Sequence, residues 1–560
     1  MSTLAKILLD HFENHPEQVA IYLQTAGHED LPISYKKLIE QAGAYADLYA
    51  SRRILPGEVV ILILEHGEAL IYSFYGAILH GAIPSIMPFL TEKLSPERYR
   101  ADLASLISVT KPAAVLTYPE FETEIRSAIG EDGSVRTILL TDEVGESHPV
   151  DAGHFRGASG SPDAITLLQH SSGTTGLQKG VALSHTAVLN QLSAYRSALQ
   201  LSSEDVIVSW LPLYHDMGLI AGFIMPILEG VPLVLMSPFD WVRAPQRLMQ
   251  AVSTYKGTLS WLPNFAYNFC AQKIRDRHLE GVDLSSWRAI VNCSEPVRYE
   301  SHVQFHEKFK AYGLKFEALQ ASYAMAENVF GVTQSDLRLG PAVDEIDRER
   351  FLHEHIAEPV VDGKPVIKMM SSGKPISNTK LRILDEKGND VPERTIGEIA
   401  LLSDSMLTEY YHRPDATSKA FRDGWYLTGD YGYMADGELY VTGRKKDMII
   451  IGGKNVYPQD LESLVGQVAG IHAGRVVAFG LYDEAQGTEE VVVIAETEAQ
   501  DPEELKKISD AVRAHVTKNS AVALRWVHLV GPKWLLKTSS GKIARSANKE
   551  KYLKETGRDV

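Results

Sequence analysis

His170-Ser171-Ser172-Gly173-Thr174-Thr175-Gly176-Leu177-Gln178-Lys179-Gly180 is the stretch on which the reading of this chain turns. An apolar strand is expected before it, over 165–168, and another after it, over 181–183. Glycines let backbone N–H groups approach phosphate oxygens, the hydroxyls add donors, and Lys179 supplies positive charge. A helix capped by Ser184 follows, with Val188, Leu189, Leu192, Tyr195 and Leu199 on one face. The P-loop of nucleotide triphosphatases requires Gly-Lys and then Ser or Thr; Lys179 stands between Gln178 and Gly180, so that spacing fails. Taken alone, the stretch also reads as a solvated loop of small polar residues.

Outward from this loop, short apolar runs at 59–64, 113–117, 137–140, 206–209 and 233–236 alternate with helical segments such as 69–80. The alternation predicts mostly parallel sheets covered by helices, an α/β fold. The most apolar run, 219–236, contains Pro226, Glu229, Gly230 and Pro232 and reads as buried helix, turn and strand. After about residue 446 the texture changes: strands are expected at 475–479 and 490–495. A helix is expected to start at Asp501-Pro502-Glu503-Glu504, with an N-cap, a proline and two acids at the positive end of the dipole. With 560 residues the chain exceeds what one core supports, roughly 250–300. The basic turn Gly443-Arg444-Lys445-Lys446-Asp447 is the expected joint between two domains.

The net charge of −16 argues against a nucleic-acid partner. Two cysteines, Cys270 and Cys293, form no disulfide framework and suit a reducing, cytoplasmic setting. Acids at positions 10, 13 and 17 and helical spacing of Leu4, Ile7, Leu8 and Phe12 predict an amphipathic first helix rather than a signal peptide. No apolar run reaches the ~18 residues of a membrane span. His353 and His355 form a metal-like pair with no third ligand nearby in sequence.

Further segments follow in order: Tyr323-Ala324-Met325-Ala326-Glu327, Asp423-Gly424-Trp425-Tyr426-Leu427-Thr428-Gly429-Asp430, the basic turn, and Lys537-Thr538-Ser539-Ser540-Gly541-Lys542-Ile543. Together with the loop at 170–180 they resemble the motifs of the acyl-adenylate-forming superfamily, which includes acyl-CoA synthetases, luciferases and nonribosomal adenylation domains. The resemblance runs collinearly from about residue 34 to about residue 545.

It implies a role for each position. Ser171, Ser172, Gly173, Thr174, Thr175, Gly176 and Lys179 would hold the phosphates of ATP. Tyr323 would stack on adenine, and Ser294, Glu295, Pro296, Ser322, Ala324 and Met325 would add nucleotide contacts. Glu327 would ligate Mg²⁺, while Asp430 and Arg444 would bind the ribose. Ala324 and Ala326 depart from the family's aromatic-Gly-x-Thr-Glu pattern and remove a hydroxyl near the α-phosphate. Lys542 would be the catalytic lysine, assisted by His215 and Glu327.

The segments Trp210-Leu211-Pro212-Leu213-Tyr214-His215-Asp216-Met217-Gly218-Leu219-Ile220, Pro263-Asn264-Phe265-Ala266-Tyr267 and Lys454-Asn455-Val456-Tyr457-Pro458 are similar to those of fatty acyl-AMP ligases. That branch implies an acyl pocket at His215, Asp216, Gly218, Phe223, Phe265 and Tyr267, with Trp261 a further candidate. It also implies an insertion near 346–365 and transfer of the acyl group to the phosphopantetheine thiol of an acyl carrier protein. Gly452-Gly453 depart from it and are seen where free CoA is the acceptor. A fatty acyl-CoA synthetase, or a non-catalytic protein retaining the fold, are the alternatives. The implied architecture is a large N-terminal domain, 1–445, of helix-covered sheets and a small mobile α+β domain, 446–560, hinged at Lys446.

Overall fold

The strands that organise this chain are short and apolar because most are covered on both faces. All four residues of Val59–Leu62, Ala114–Thr117, Leu233–Met236, Leu259–Leu262 and Ala289–Asn292 are buried. Such strands suit parallel sheets covered by helices. The computed structural model describes residues 2–89, 96–130, 133–171, 179–361, 366–451, 454–472, 474–483, 488–520, 522–538 and 542–557.

Among the described residues two seven-stranded sheets dominate. The first runs in the order Leu319–Ala321, Ala289–Asn292, Leu259–Leu262, Ile207–Ser209, Leu233–Met236, Val19–Gln24 and Leu31–Ser34, parallel except at the last pair. The second orders Glu409–Tyr410, Lys179–Ser184, Ile165–Ser171, Ile83–Ile86, Val59–Leu62, Ala114–Thr117 and Thr137–Leu140. Its first three strands are antiparallel neighbours and the rest are parallel. The strand pair around the phosphate loop thus forms a hairpin, Ile165–Ser171 against Lys179–Ser184, with Ser171 opposite Lys179. The predicted helix His185–Leu199 starts where expected, its Ser184 hydroxyl accepting the Ala187 N–H.

A third sheet was not legible as such. Thr379–Leu384, Gly397–Ser403, Trp425–Ala435, Phe421–Arg422 and Glu438–Arg444 pair antiparallel throughout. Two of its connections, at 423–424 and 436–437, are two-residue turns. Asp436 and Gly437, both at positive φ (55° and 74°), join two of its strands as a two-residue hairpin turn requires. This pairing sets Asp430 opposite Arg444. Elsewhere Val343–Asp347 pairs with Val366–Met370, and helix Arg348–Glu354 lies between them in the chain. Ile346, Phe351 and Ala357 pack with Tyr433, Tyr440 and Tyr457. The side chain of His353 and residues 362–365 lie outside the described residues, as do Gly452 and Gly453.

From Ile449 onward the chain builds apolar clusters of its own around the sheet Val476–Asp483, Thr488–Glu496 and Trp526–Val530. Helix Pro502–Asn519 begins as expected, with the Asp501 carboxylate accepting the Glu504 N–H. No helix among the described residues is long and apolar enough to cross a membrane.

Candidate active site

Strand ends and the loops after them deliver the site. Asp430 occupies the middle of Trp425–Ala435, where its N–H donates to the Thr428 hydroxyl (3.0 Å). The Tyr323 hydroxyl donates to Asp430 Oδ2 at 2.6 Å, and Arg444 Nε lies 3.3 Å from Oδ1. Asp430 in turn holds the Arg444 guanidinium above its usual acidity range. The Tyr323 backbone is fixed by Thr333, whose hydroxyl accepts its N–H, and by the Val332 N–H on its carbonyl. Neighbouring Ser322 donates to the Thr333 carbonyl at 2.7 Å, Ala324 bridges to Gly331, and the Met325 N–H donates to Phe330. Sequence motifs a hundred residues apart therefore meet at one carboxylate.

Glu327 lies nearby in a short helical turn, Ala326–Asn328. Its Oε1 accepts the Tyr410 hydroxyl at 2.8 Å, and Tyr410 also contacts the Tyr426 hydroxyl at 2.9 Å. Burial raises the Glu327 carboxyl above its usual range, and the Tyr410 hydroxyl partly opposes this. A partly buried carboxylate of this kind gains from a cation. It fits Mg²⁺, which commonly takes one or two protein carboxylates and leaves the remaining positions to phosphates and water. The Lys179 ammonium sits 4.4 Å from the centre of the Tyr410 ring. Residues 172–178 lie outside the described residues, so Ser172, Gly173, Thr174, Thr175 and Gly176 stand on sequence alone; Ser171 is placed by its backbone only.

The segment after Ile207–Ser209 delivers His215 and Asp216. Asp216 caps the π-helix Met217–Ile224, accepting the Met217 N–H at 2.8 Å. His215 Nδ1 lies 2.6 Å from Asp216 Oδ1. Gly218 is required there: a Cβ would stand 2.3 Å from the Pro212 carbonyl oxygen. Burial alone would raise the Asp216 carboxyl, but His215, Lys542 and the Met217 N–H outweigh it and hold it below the usual range.

Glu295 follows Ser294, which adopts φ 68°. Its Oε2 accepts the Phe265 N–H at 2.9 Å, at the start of helix Asn264–Lys273, where the helix dipole favours negative charge. Pro296 follows it, before Arg298 donates its N–H to the Asn264 side chain. Lys542 enters this region from the far end of the chain. Its N–H donates to the Thr538 hydroxyl (3.2 Å) and its carbonyl accepts the Thr538 N–H (2.7 Å). Burial lowers the Lys542 ammonium below its usual range, while the Glu295 and Asp216 charges pull it back up.

The aromatic candidates divide. Phe265 is partly buried, its ring edge-on to the stacked pair Trp210 and Trp241. Phe223 is fully buried against Phe74 and Tyr75. Tyr267 is fully buried too, stacked on His302 with its hydroxyl donating to the Ile290 carbonyl. Trp261 donates to the Tyr195 hydroxyl inside the core. Sequence reading missed Tyr410, Thr333 and Arg298. Each acts through a tertiary hydrogen bond, and no periodicity or motif distinguished it.

Lys446 lies in the turn Lys445–Asp447. Lys445 pairs with Glu398 on the third sheet, and Asp447 accepts Arg545, which also grips Glu462. Among the described residues no cluster of three or more histidine, cysteine or acidic side chains is arranged to hold a metal by itself.

The two helix-covered sheets, and the match of the whole chain to solved fatty acyl-adenylate ligases, define the fold of an adenylate-forming enzyme, a ligase. The chain belongs to the AMP-binding enzyme family, whose model matches residues 8–411. A chain of Caulobacter vibrioides, provisionally named an acyl-CoA synthetase, is 31% identical over 94% of this chain and 91% of its own. The medium-chain-fatty-acid–acyl-carrier-protein ligase JamA of Moorena producens is 30% identical over 96% and 92%. A solved structure from work on fatty acyl-adenylate ligases of E. coli and L. pneumophila superposes with a TM-score of 0.89, covering 100% of this chain and 99% of that one at 27% identity.

Proposed function

We propose that this chain activates a fatty acid as its acyl-AMP and then transfers the acyl group to the phosphopantetheine thiol of an acyl carrier protein. The observation that carries this reading is the place of partly buried Lys542, within electrostatic reach of Glu295, Asp216 and Arg444. A lysine in that company suits a reaction between two anions, whose mutual repulsion must be neutralised before they meet.

In the first step a carboxylate oxygen bonds to the α-phosphorus of ATP, the bond to the β-phosphate oxygen breaks, and pyrophosphate leaves. Asp430, Arg444 and Tyr323 orient the nucleoside, and Lys179 with the loop at 171–176 holds the phosphates. Glu327 would hold Mg²⁺, which when bound supplies charge neutralisation at those phosphates. Lys542 stabilises the charge shared between carboxylate and α-phosphate. His215, Asp216 and Gly218 shape the entrance of the acyl pocket, with Phe265 beside them. In the second step the thiol sulfur bonds to the acyl carbon, AMP leaves, and the thiol proton is released.

Residues 446–560 act in this reading as a small domain turning about Lys446, so that Lys542 withdraws and the thiol enters. The separate apolar clusters beyond Ile449 support such a unit. A fatty acyl-CoA synthetase is the second reading, favoured by the name of the Caulobacter relative. Incubation with ATP, Mg²⁺, CoA and a series of fatty acids, with products identified by mass spectrometry, separates the two. Acyl-AMP accumulating without acyl-CoA supports the carrier-protein acceptor; prompt acyl-CoA formation establishes CoA; no adenylate from any acid overturns both.

A further inference from the structure

Three segments remote in sequence converge on Tyr410. Its hydroxyl donates to Glu327 Oε1 at 2.8 Å, and its ring faces the Lys179 ammonium at 4.4 Å. The backbone around it is stitched to both partners. The Leu407 N–H donates to the carbonyl of Glu327 itself, at 2.8 Å. The Thr408 and Tyr411 N–H groups donate to Ala182 and Gly180, on the strand that Lys179 opens, each at 2.8 Å. The Tyr410 N–H is held by the Thr417 hydroxyl at 3.0 Å, and the residue is 4% exposed. Residues 407–411 therefore form a rigid tie between the cation that ends the phosphate loop and the carboxylate read as the metal ligand.

We infer that Tyr410 is a positioning residue that sets how Glu327 presents its carboxylate to Mg²⁺ and how far that carboxylate stands from Lys179. The inference rests on the reading of Glu327 given above. Mg²⁺ demands near-octahedral geometry at short distances, so a carboxylate free to rotate binds it poorly. Holding Oε1 with a buried hydroxyl, itself held by Tyr426 at 2.9 Å, limits that rotation. The ring beneath Lys179 performs a second task with different chemistry: its π face keeps the ammonium near the phosphates without neutralising it, as a carboxylate partner would.

The two tasks separate by substitution. Tyr410→Phe keeps the ring and removes the hydroxyl; Tyr410→Leu removes both. ATP binding to the full chain is measured by calorimetry over a series of Mg²⁺ concentrations, alongside thermal unfolding and pyrophosphate release. Tyr410→Phe is expected to raise the Mg²⁺ concentration for half-maximal ATP affinity about 10- to 100-fold, as for other groups that orient a metal ligand. Its affinity for ATP without Mg²⁺ should stay at the wild-type value, whereas Tyr410→Leu should weaken that as well. Wild-type Mg²⁺ dependence in Tyr410→Phe, even with a lowered melting temperature, overturns the inference and leaves Tyr410 a packing residue. Should Tyr410→Phe not fold, Tyr426→Phe loosens the same hydroxyl and should shift the Mg²⁺ dependence in the same direction by a smaller factor; no shift overturns the inference. Glu327→Gln identifies which reading failed: unaltered Mg²⁺ dependence there removes the metal role of Glu327 itself.

Discussion

Arg298 donates to Asp460 Oδ1 over 3.0 Å and to the Gln459 carbonyl over 3.2 Å, a clasp between residues 162 positions apart. Gln459 adds a 2.6 Å bond to the Thr442 carbonyl. The clasp joins the loop after Glu295 to the helix Pro458–Gly466 at the start of the C-terminal residues. Both charged side chains are partly exposed, at 30% and 45%, so the pair adds at most ~1 kcal/mol to stability. Arg298→Ala is therefore expected to leave the melting temperature nearly unchanged. It should slow acyl-AMP formation up to roughly fivefold, because the orientation that brings in Lys542 is less populated. Pyrophosphate release under single-turnover conditions checks this; an unchanged rate would show that the clasp does not govern the first step.

Lys542→Ala should lower acyl-AMP formation by about 10²–10³ or more, a loss of ~3–4 kcal/mol in transition-state stabilisation. Folding should persist, since a buried charge is removed rather than created. The wild-type pH profile carries the matching signature. The Lys542 ammonium is held below the usual 10.5 and acts as a cation, so activity should fall as pH rises through that lowered value. Its effect on stability has the opposite sign. Burying the charged form costs stability at low pH, and the cost fades as pH rises toward the value of the unfolded chain. An alkaline limb that survives in Lys542→Ala would assign it to another group.

Asp430→Asn removes the charge that accepts from Tyr323 and faces Arg444. Hydrogen bonds to charged groups are worth ~1.5–3 kcal/mol, so the KM for ATP should rise roughly ten- to a hundredfold. The KM for the acid should hardly change. Steady-state kinetics with each substrate varied in turn measures the split; equal effects on both would remove Asp430 from nucleotide binding.

Acid should destabilise the fold through its buried histidines. Burial lowers His170 and His185 to about 4 and His302 to about 3, from the usual 6.5. His185 accepts the Leu4 N–H at 3.1 Å, an arrangement that needs its neutral ring. As pH falls below 6.5, the unfolded chain binds protons that the folded chain refuses, so stability declines between about pH 6.5 and 4. Urea midpoints at pH 7 and pH 5 test this. His185→Gln should flatten part of the decline, and a pH-independent midpoint would contradict it.

Local chemistry settled what the sequence by itself could determine. The strands at 137–140 and 233–236, the Ser184 and Asp501 caps and the order of the motifs depend on neighbours along the chain, and they stand where the pattern put them. The parallel sheets were legible because strands buried on both faces leave a continuous apolar signature. The antiparallel sheet from Thr379 to Arg444 was not, since its partly exposed strands carry a weaker one. Only tertiary structure decided which motifs share a site. Tyr323, just beyond the strand Leu319–Ala321, meets Asp430 in Trp425–Ala435 across 107 positions of sequence. Tyr410 and Arg298 gained their partners in the same way, through hydrogen bonds whose two ends have no relation in sequence. Burial completed the difference. The lowered Lys542 and raised Glu327 owe their shifts first to the exclusion of water, and that depends on the packed fold and not on the residue itself.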